Sequence, residues 1–122
     1  MTSHKQVVET YIEGFRRSDH KMILDCVTDD VIWDLKGYKW LQGREAFDAE
    51  IENDATPGPP TLTIVRMIEE GDTVVLIGNG EGGLKDGGRF YFTFSDVFDF
   101  TGDKISRLET YQVNLLGSFE SP

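Results

Sequence analysis

The chain has 122 residues, which is enough for one domain with a single hydrophobic core and too few for two. Its 22 acidic and 12 basic residues give a net charge of −10, which would repel a phosphate backbone, so nucleic acid is not an expected partner. Cys26 is the only cysteine, which rules out an internal disulfide, and His4 and His20 show no zinc-binding spacing. We predict one domain over residues 1–122 with no metal and no cofactor.

The distribution of apolar residues bears on location and on ligand type. No apolar run reaches the length needed to span a bilayer, and the first residues, Met-Thr-Ser-His-Lys, lack a hydrophobic signal region. We therefore expect a soluble, cytoplasmic protein with no membrane partner. Thirteen glycines and eight phenylalanines are typical of turn-rich β structure with an aromatic lining, so we expect any small-molecule ligand to be apolar or aromatic.

Three helices are predicted in the N-terminal part of the chain. A capping-box pattern at Ser3 opens an amphipathic helix over residues 4–17, and Tyr11 lies in its apolar stripe. A second helix is predicted over residues 20–27, capped by the aspartate that precedes it. The third opens at Gly43 and carries apolar side chains inward.

One strand is predicted between the second and third helices. Residues 31–36 alternate between apolar and polar, which places Trp33 and Leu35 on one face and Asp34 on the other. An aromatic loop that contains Trp40 follows this strand.

The second half of the chain predicts a β-meander. Residues 56–60, Thr-Pro-Gly-Pro-Pro, form a rigid break, because proline excludes both helix and central strand. Tight turns that contain glycine then separate four strands, as in an antiparallel sheet. We predict an α+β fold in which the three N-terminal helices pack over the concave face of a curved, cone-shaped antiparallel sheet. The four strands cover residues 61–69, 73–84, 89–100 and 104–115.

The strand over residues 89–100 has an unusual inner face. Since strand side chains alternate between faces, five phenylalanines share one face with a single carboxyl group, that of Asp96. Leaving an ionised carboxylate unpaired among rings costs roughly several kcal/mol. Asp96 must therefore open onto a cavity, find a hydrogen-bond donor or stay protonated with a raised pKa. The five phenylalanines are Phe90, Phe92, Phe94, Phe98 and Phe100.

Two further patterns have structural interpretations. Residues 78–83 match G-x-G-x-x-G, but a dinucleotide fingerprint requires a helix after the glycines, and here a strand follows. We predict that these glycines mark sheet curvature or close backbone approach. The inward face of the last strand stays open, because Ile105 and Leu108 favour opposite faces. If Leu108 and Thr110 face inward, Gln112 adds a polar contact to the interior.

The order of elements resembles the nuclear transport factor 2-like superfamily, which includes ketosteroid isomerases and SnoaL-like polyketide cyclases. The resemblance covers nearly the whole chain. It implies a cone closed by helices and, in many members, a homodimer formed through the outer face of the sheet. The stretches that carry it are 7–11 (Val-Val-Glu-Thr-Tyr), 29–34 (Asp-Asp-Val-Ile-Trp-Asp), 43–46 (Gly-Arg-Glu-Ala) and 96–105 (Asp-Val-Phe-Asp-Phe-Thr-Gly-Asp-Lys-Ile).

The same resemblance assigns roles to individual residues. Tyr11 matches the oxyanion-binding tyrosine of the isomerases, and Asp96 matches their protonated aspartic acid, which donates to the same oxyanion. The position of the isomerase general base is occupied by Leu35, so steroid isomerisation by that mechanism lacks a proton carrier. We take Tyr11 and Asp96 as the candidate catalytic residues. The candidate ligand contacts are Trp33, Leu35, Trp40, Phe92, Phe94, Phe98 and Gln112.

Three functions are compatible with these residues. The first is an isomerase- or cyclase-like enzyme for an apolar carbonyl compound, in which Tyr11 and Asp96 polarise the carbonyl or move a proton. The polarising version needs a protonated Asp96 and the proton-moving version an ionised one. The second is non-catalytic binding of an apolar ligand. The third is a dimerisation module without a ligand.

Overall fold

The computed structural model describes residues 3–51, 60–84 and 86–115. The predicted break at 56–60 lies outside this range except for its last proline. Within the described residues, no helix is long and apolar enough to cross a membrane. The elements are α1 (His4–Arg16), α2 (His20–Leu24), β1 (Val27–Leu35), β2 (Lys39–Gln42), α3 (Arg44–Ile51), β3 (Thr61–Glu70), β4 (Thr73–Gly83), β5 (Arg89–Thr101) and β6 (Lys104–Leu115).

The described strands form one curved, unclosed sheet in the order β2-β1-β6-β5-β4-β3, and the helices pack against it. The four strands of the meander pair antiparallel as predicted, and β1 joins the free edge of β6 in parallel. The predicted α+β cone is confirmed. Its core lies between the helices and the sheet face that carries the phenylalanines of β5.

Two local predictions in the N-terminal part were wrong. The second helix ends at Leu24, because Val27 pairs with Ile105 of β6 and the Ile105 amide donates to the Cys26 carbonyl, which draws these residues into the sheet. Residues 39–42 form β2 instead of a loop. A tight turn, in which the Tyr38 amide donates to the carbonyl of the last residue of β1, folds them back against that strand.

The glycines of β4 are opposite the phenylalanines of β5. Gly80 pairs with Phe92 and Gly78 with Phe94, and each ring lies over its glycine. A Cβ atom added at Gly80 would lie 2.1 Å from Cζ of Phe92, so only glycine fits beneath that ring. The prediction of close backbone approach is confirmed, and the bulge that accompanies it lies on β3, at Val65.

A bulge in the β5–β6 hairpin resolves the ambiguity of the last strand. Phe100 pairs with Ile105, whereas Asp99 pairs with Arg107, so Ser106 is an extra residue on β6. The extra residue brings both Ile105 and Leu108 to the inner face, where both are fully buried. Alternation then places Thr110 inward as well.

Candidate functional site

Asp96 lies in the middle of β5 and points into the core. Its neighbours across the two adjacent strands are Leu76 on β4 and Thr110 on β6. The residue is only 7% exposed, and its Oδ1 atom is buried without a hydrogen-bond partner among the described residues. Buried polar atoms in folded proteins nearly always have a partner, so this oxygen is an exception that requires an explanation.

Protonation explains how Asp96 is tolerated there. Burial disfavours the charged carboxylate and raises the pKa of Asp96 to about 7, while the Thr110 hydroxyl, which favours the charged form, partly opposes the rise. A carboxyl group with this pKa exists in both protonation states near neutral pH. The neutral form carries a proton that it can donate.

Tyr11 enters the same interior from α1. Its ring is buried and packs against Phe15, Phe98 and Phe47 at centroid distances of 5.0, 5.4 and 6.2 Å. Burial, followed by the nearby charge of Asp96, raises the pKa of Tyr11 well above its usual value, so the phenol remains a neutral donor. Tyr11 and Asp96 thus influence each other electrostatically. In the described structure their side chains are not hydrogen-bonded to each other.

Trp33 connects β1 to this pair. Its indole stacks on Phe47 at a centroid distance of 4.4 Å, and its Nε1 donates to Oγ1 of Thr110 over 2.9 Å. Trp33, Thr110 and Asp96 therefore form a row of polar groups across three strands, β1, β6 and β5.

Thr110 was not among the site residues predicted from the sequence. Its position opposite Asp96 depends on the extra residue Ser106: without that bulge, Glu109 would stand in its place. One indication of this bulge was present in the sequence: under strict alternation Ile105 and Leu108, which lie on either side of residue 106, would point to opposite faces.

The general-base position carries no carboxylate. Leu35 is half-buried and is the β1 neighbour of Thr110. Asp34 faces the opposite side of the sheet, as predicted, where Lys36 and Arg107 lie 2.8 and 3.3 Å from its Oδ2 atom. The departure from the isomerase pattern is therefore present in the three-dimensional structure as well.

The remaining candidate contacts divide into two groups. Phe92 and Phe94 form the first group and lie on the inner face, flat against β4. Gln112 and Trp40 form the second group and are exposed; Gln112 is the cross-strand partner of Phe94, and its side chain donates to Asn114. Trp40 is 53% exposed and lies on the outer face of the sheet, where it pairs with Asp34 of β1. The predicted contact residues that belong to the hydrophobic core or pack against it are Tyr11, Trp33, Leu35, Phe92, Phe94 and Phe98.

Two depressions on the described part of the chain lie outside this interior. One is a groove of about 610 Å³ between the first two helices and the β5–β6 turn, and the other, of about 320 Å³, runs beside α1. Neither is lined by Tyr11 or Asp96. The first is lined by Val7, Thr10, Asp19, Lys21, Met22, Asp25, Cys26, Asp103 and Lys104, the second by Glu9, Thr10, Glu13, Arg16, Met22 and Ile64.

Solved structures share this fold at low sequence identity. An NTF2-like protein of unknown function from Burkholderia pseudomallei is 21% identical, with a TM-score of 0.79, and 91% of each chain is covered. A LEH-like epoxide hydrolase from M. tuberculosis is 15% identical, with a TM-score of 0.79, and 90% of this chain and 82% of that one are covered. TerC, co-crystallised with polyporic acid, is 22% identical, with a TM-score of 0.80, and 88% of this chain and 89% of that one are covered.

Family comparison gives the assignment. No curated protein matches the sequence significantly. The sequence profile of the SnoaL-like domain matches residues 8–108, from within α1 to within β6, and therefore includes both candidate catalytic residues. The chain belongs to the SnoaL-like domain family, within the NTF2-like superfamily.

Proposed function

We propose that this SnoaL-like domain acts on an apolar carbonyl compound, with the carboxyl group of Asp96 as its reactive acid–base group and Tyr11 as a second donor. The observation that carries the proposal is the buried Oδ1 atom of Asp96, which has no partner among the described residues. When the carboxyl is neutral, a carbonyl oxygen of a ligand would supply the acceptor that this group lacks.

The chemistry follows from the two donors. A neutral Asp96 and the neutral phenol of Tyr11 can stabilise negative charge that develops on a carbonyl oxygen, and the dry aromatic surroundings strengthen such an interaction. With a pKa of about 7, Asp96 in its ionised form is also suited to removing a proton from an activated carbon. Because Leu35 replaces the separate base, a cyclase-like reaction that uses Asp96 alone fits better than a three-residue isomerisation.

The ligand class follows from the surroundings of the acid. Phe92, Phe94 and Phe98 lie on the same strand face as Asp96 and are buried, so a ligand there meets mostly rings. The TerC structure with polyporic acid and the LEH-like epoxide hydrolase support small-molecule use of this fold. Since Asp96 is buried, we expect part of the lining to move when a ligand binds. Leu35, which neighbours Thr110 on β1 and is only half-buried, is the side chain that we expect to move first.

A ligand panel tests the proposal. Phenols, steroids and polyketide-like ketones are screened for binding by calorimetry and then for turnover, with wild type, Asp96→Asn and Tyr11→Phe. Asp99→Asn is the matched control, since Asp99 lies on the same strand but its carboxylate accepts from Thr73 on the other face. We expect a ligand whose turnover is lost in Asp96→Asn and kept in the control. A bound ligand with no turnover by wild type would leave only non-catalytic binding, and no binding to any compound would overturn the proposal.

The burial of Asp96 favours one alternative, a dimerisation module without a ligand. In that case the row Trp33–Thr110–Asp96 is architectural, and the outer face of the sheet is the functional surface. That face exposes Val113 and Tyr111 on β6 and Ile68 on β3, and Tyr111 lies under Lys36, which pairs with Asp34. We propose that a second copy of the chain covers it, whichever function the interior has, because its exposed apolar side chains lie on a face that also carries charges of both signs.

Sedimentation velocity tests the dimer. Val113→Glu places a charge on a side chain that is 59% exposed on a central strand, and Val65→Glu is the matched control at 56% exposed on the edge strand β3. We expect a dimer for wild type and the control, and a monomer with an unchanged circular dichroism spectrum for Val113→Glu. A monomeric wild type would refute the proposed interface.

A further inference from the structure

The indole N–H of Trp33 limits what the hydroxyl of Thr110 can do. Nε1 of Trp33 is a donor only, so at 2.9 Å the Thr110 oxygen must be the acceptor of that bond. The hydroxyl proton of Thr110 therefore points away from the indole. The backbone carbonyl of Thr110 is occupied separately, by the amide of Lys36.

Asp96 is the acceptor that the Thr110 proton can reach. The two residues are direct cross-strand partners on the inner face, both are buried, and side chains of such pairs lie about 5 Å apart at Cβ. The other cross-strand partner of Asp96, Leu76, has no polar side-chain atom. A hydroxyl aimed at the carboxyl engages one of its two oxygens, and the Thr110 hydroxyl is the group that lowers the pKa of Asp96 against the effect of burial.

We propose that Thr110, oriented by the Trp33 indole, is the positioning residue of Asp96: it holds one carboxyl oxygen and leaves the other to a ligand. The role of the second oxygen toward a ligand rests on the proposed function, whereas the orientation itself does not. Thr110 does not touch the reacting atoms. It acts by favouring the charged form of Asp96 and by fixing which oxygen is free.

The titratable surroundings make the effect measurable. From α1, Tyr11 is the titratable group that interacts with Asp96, and it stays neutral because burial raises its pKa. The partners of Asp96 on β4 and β6, Leu76 and Thr110, are uncharged. A change in the titration of Asp96 on substitution of Thr110 therefore reports on the hydroxyl and not on a charged neighbour.

The test is the apparent pKa of Asp96 in the ligand-free protein, read from its side-chain carbon by NMR. Thr110→Val has nearly the same shape without the hydroxyl, and we expect it to raise that pKa by about one. Thr110→Ser restores the hydroxyl and should return the value to that of wild type. Thr93→Val is the matched control, because the Thr93 hydroxyl donates to a backbone carbonyl on the outer face of the same sheet.

Trp33→Phe completes the experiment as a double-mutant cycle. If the indole acts through the hydroxyl, Trp33→Phe shifts the pKa of Asp96 when Thr110 is present and has no effect in the Thr110→Val background. An unchanged pKa in Thr110→Val, or an equal effect of Trp33→Phe in both backgrounds, would overturn the inference. Because no ligand is used, these results are independent of the ligand panel: failure there would remove the proposed function and leave this orientation intact.

Discussion

The substitution Asp96→Asn should change how the stability of the domain depends on pH. Asparagine keeps the shape of the neutral acid and has no proton to lose. In wild type, burial raises the pKa of Asp96 to about 7, whereas an aspartate in an unfolded chain titrates near ~3.9. Between these two values the folded state binds more protons than the unfolded state, so the free energy of unfolding falls as pH rises.

The magnitude follows from the two pKa values. The two pKa values differ by roughly three units, and each unit corresponds to about 1.4 kcal/mol, so ionisation of Asp96 lowers the free energy of unfolding of wild type by about 4 kcal/mol. This loss is absent below pH ~4 and complete above pH ~7. This is a large part of the roughly 5–15 kcal/mol that stabilises a domain of this size. Asp96→Asn should not show this loss. Its free energy of unfolding should therefore rise relative to that of wild type by a few kcal/mol as the pH goes from acid to mildly alkaline.

Urea unfolding followed by circular dichroism at several pH values from 4.5 to 8 measures the effect. The control is Asp99→Asn, on the outer face of the same strand, where the carboxylate accepts from the Thr73 hydroxyl. We expect the curve of Asp96→Asn to diverge from wild type with rising pH and the control to keep the wild-type slope over the window assigned to Asp96. Parallel curves for wild type and Asp96→Asn would refute the assignment of a buried, protonated acid.

Three further expectations concern the packing around the site. Gly80→Ala should lower the free energy of unfolding in urea by about 1–3 kcal/mol, because the added Cβ would meet the Phe92 ring. Gly83→Ala is the control: its Cβ would have open space around it, so its free energy of unfolding should lie within about 0.5 kcal/mol of the wild-type value. Equal effects of the two substitutions would contradict this packing. Cys26 is buried and its thiol pKa is raised, so a thiol-specific reagent should modify it slowly until denaturant is added, and rapid labelling of the native protein would be inconsistent with the structure. The raised pKa of Tyr11 means that its phenol should ionise only when the protein unfolds. In an alkaline absorbance titration, wild type and Tyr11→Phe should therefore give identical curves below the pH at which the protein unfolds.

The elements that were predictable from sequence are those fixed by local signals. The meander from Thr61 to Leu115 follows from alternation and from glycine-containing turns, and its strands agree with the predicted ones to within a residue or two. The inward position of Asp96 follows from the same alternation. The start of β1 was not predictable, because Val27 joins the sheet through a partner, Ile105, that is distant in the chain.

The surroundings of the acid depended on long-range features. The row of phenylalanines indicated an aromatic lining, but it did not show that these rings lie flat on the glycines of β4. The neighbour of Asp96 depends on one extra residue, Ser106, which places Thr110 instead of Glu109 beside it. The conflicting alternation along β6 indicates a shift but does not place the extra residue, since cross-strand register is set by the hairpin as a whole.

The protonation state of Asp96 in the ligand-free protein is the most direct test of the proposed site. Side-chain carbon NMR across pH 3 to 9, with Asp96→Asn to assign the signal, measures it. We expect a pKa of about 7, because burial disfavours the charged carboxylate more than the Thr110 hydroxyl stabilises it. A carboxyl group that titrates near ~3.9, as in an unfolded chain, would contradict the buried acid and with it the proposed chemistry.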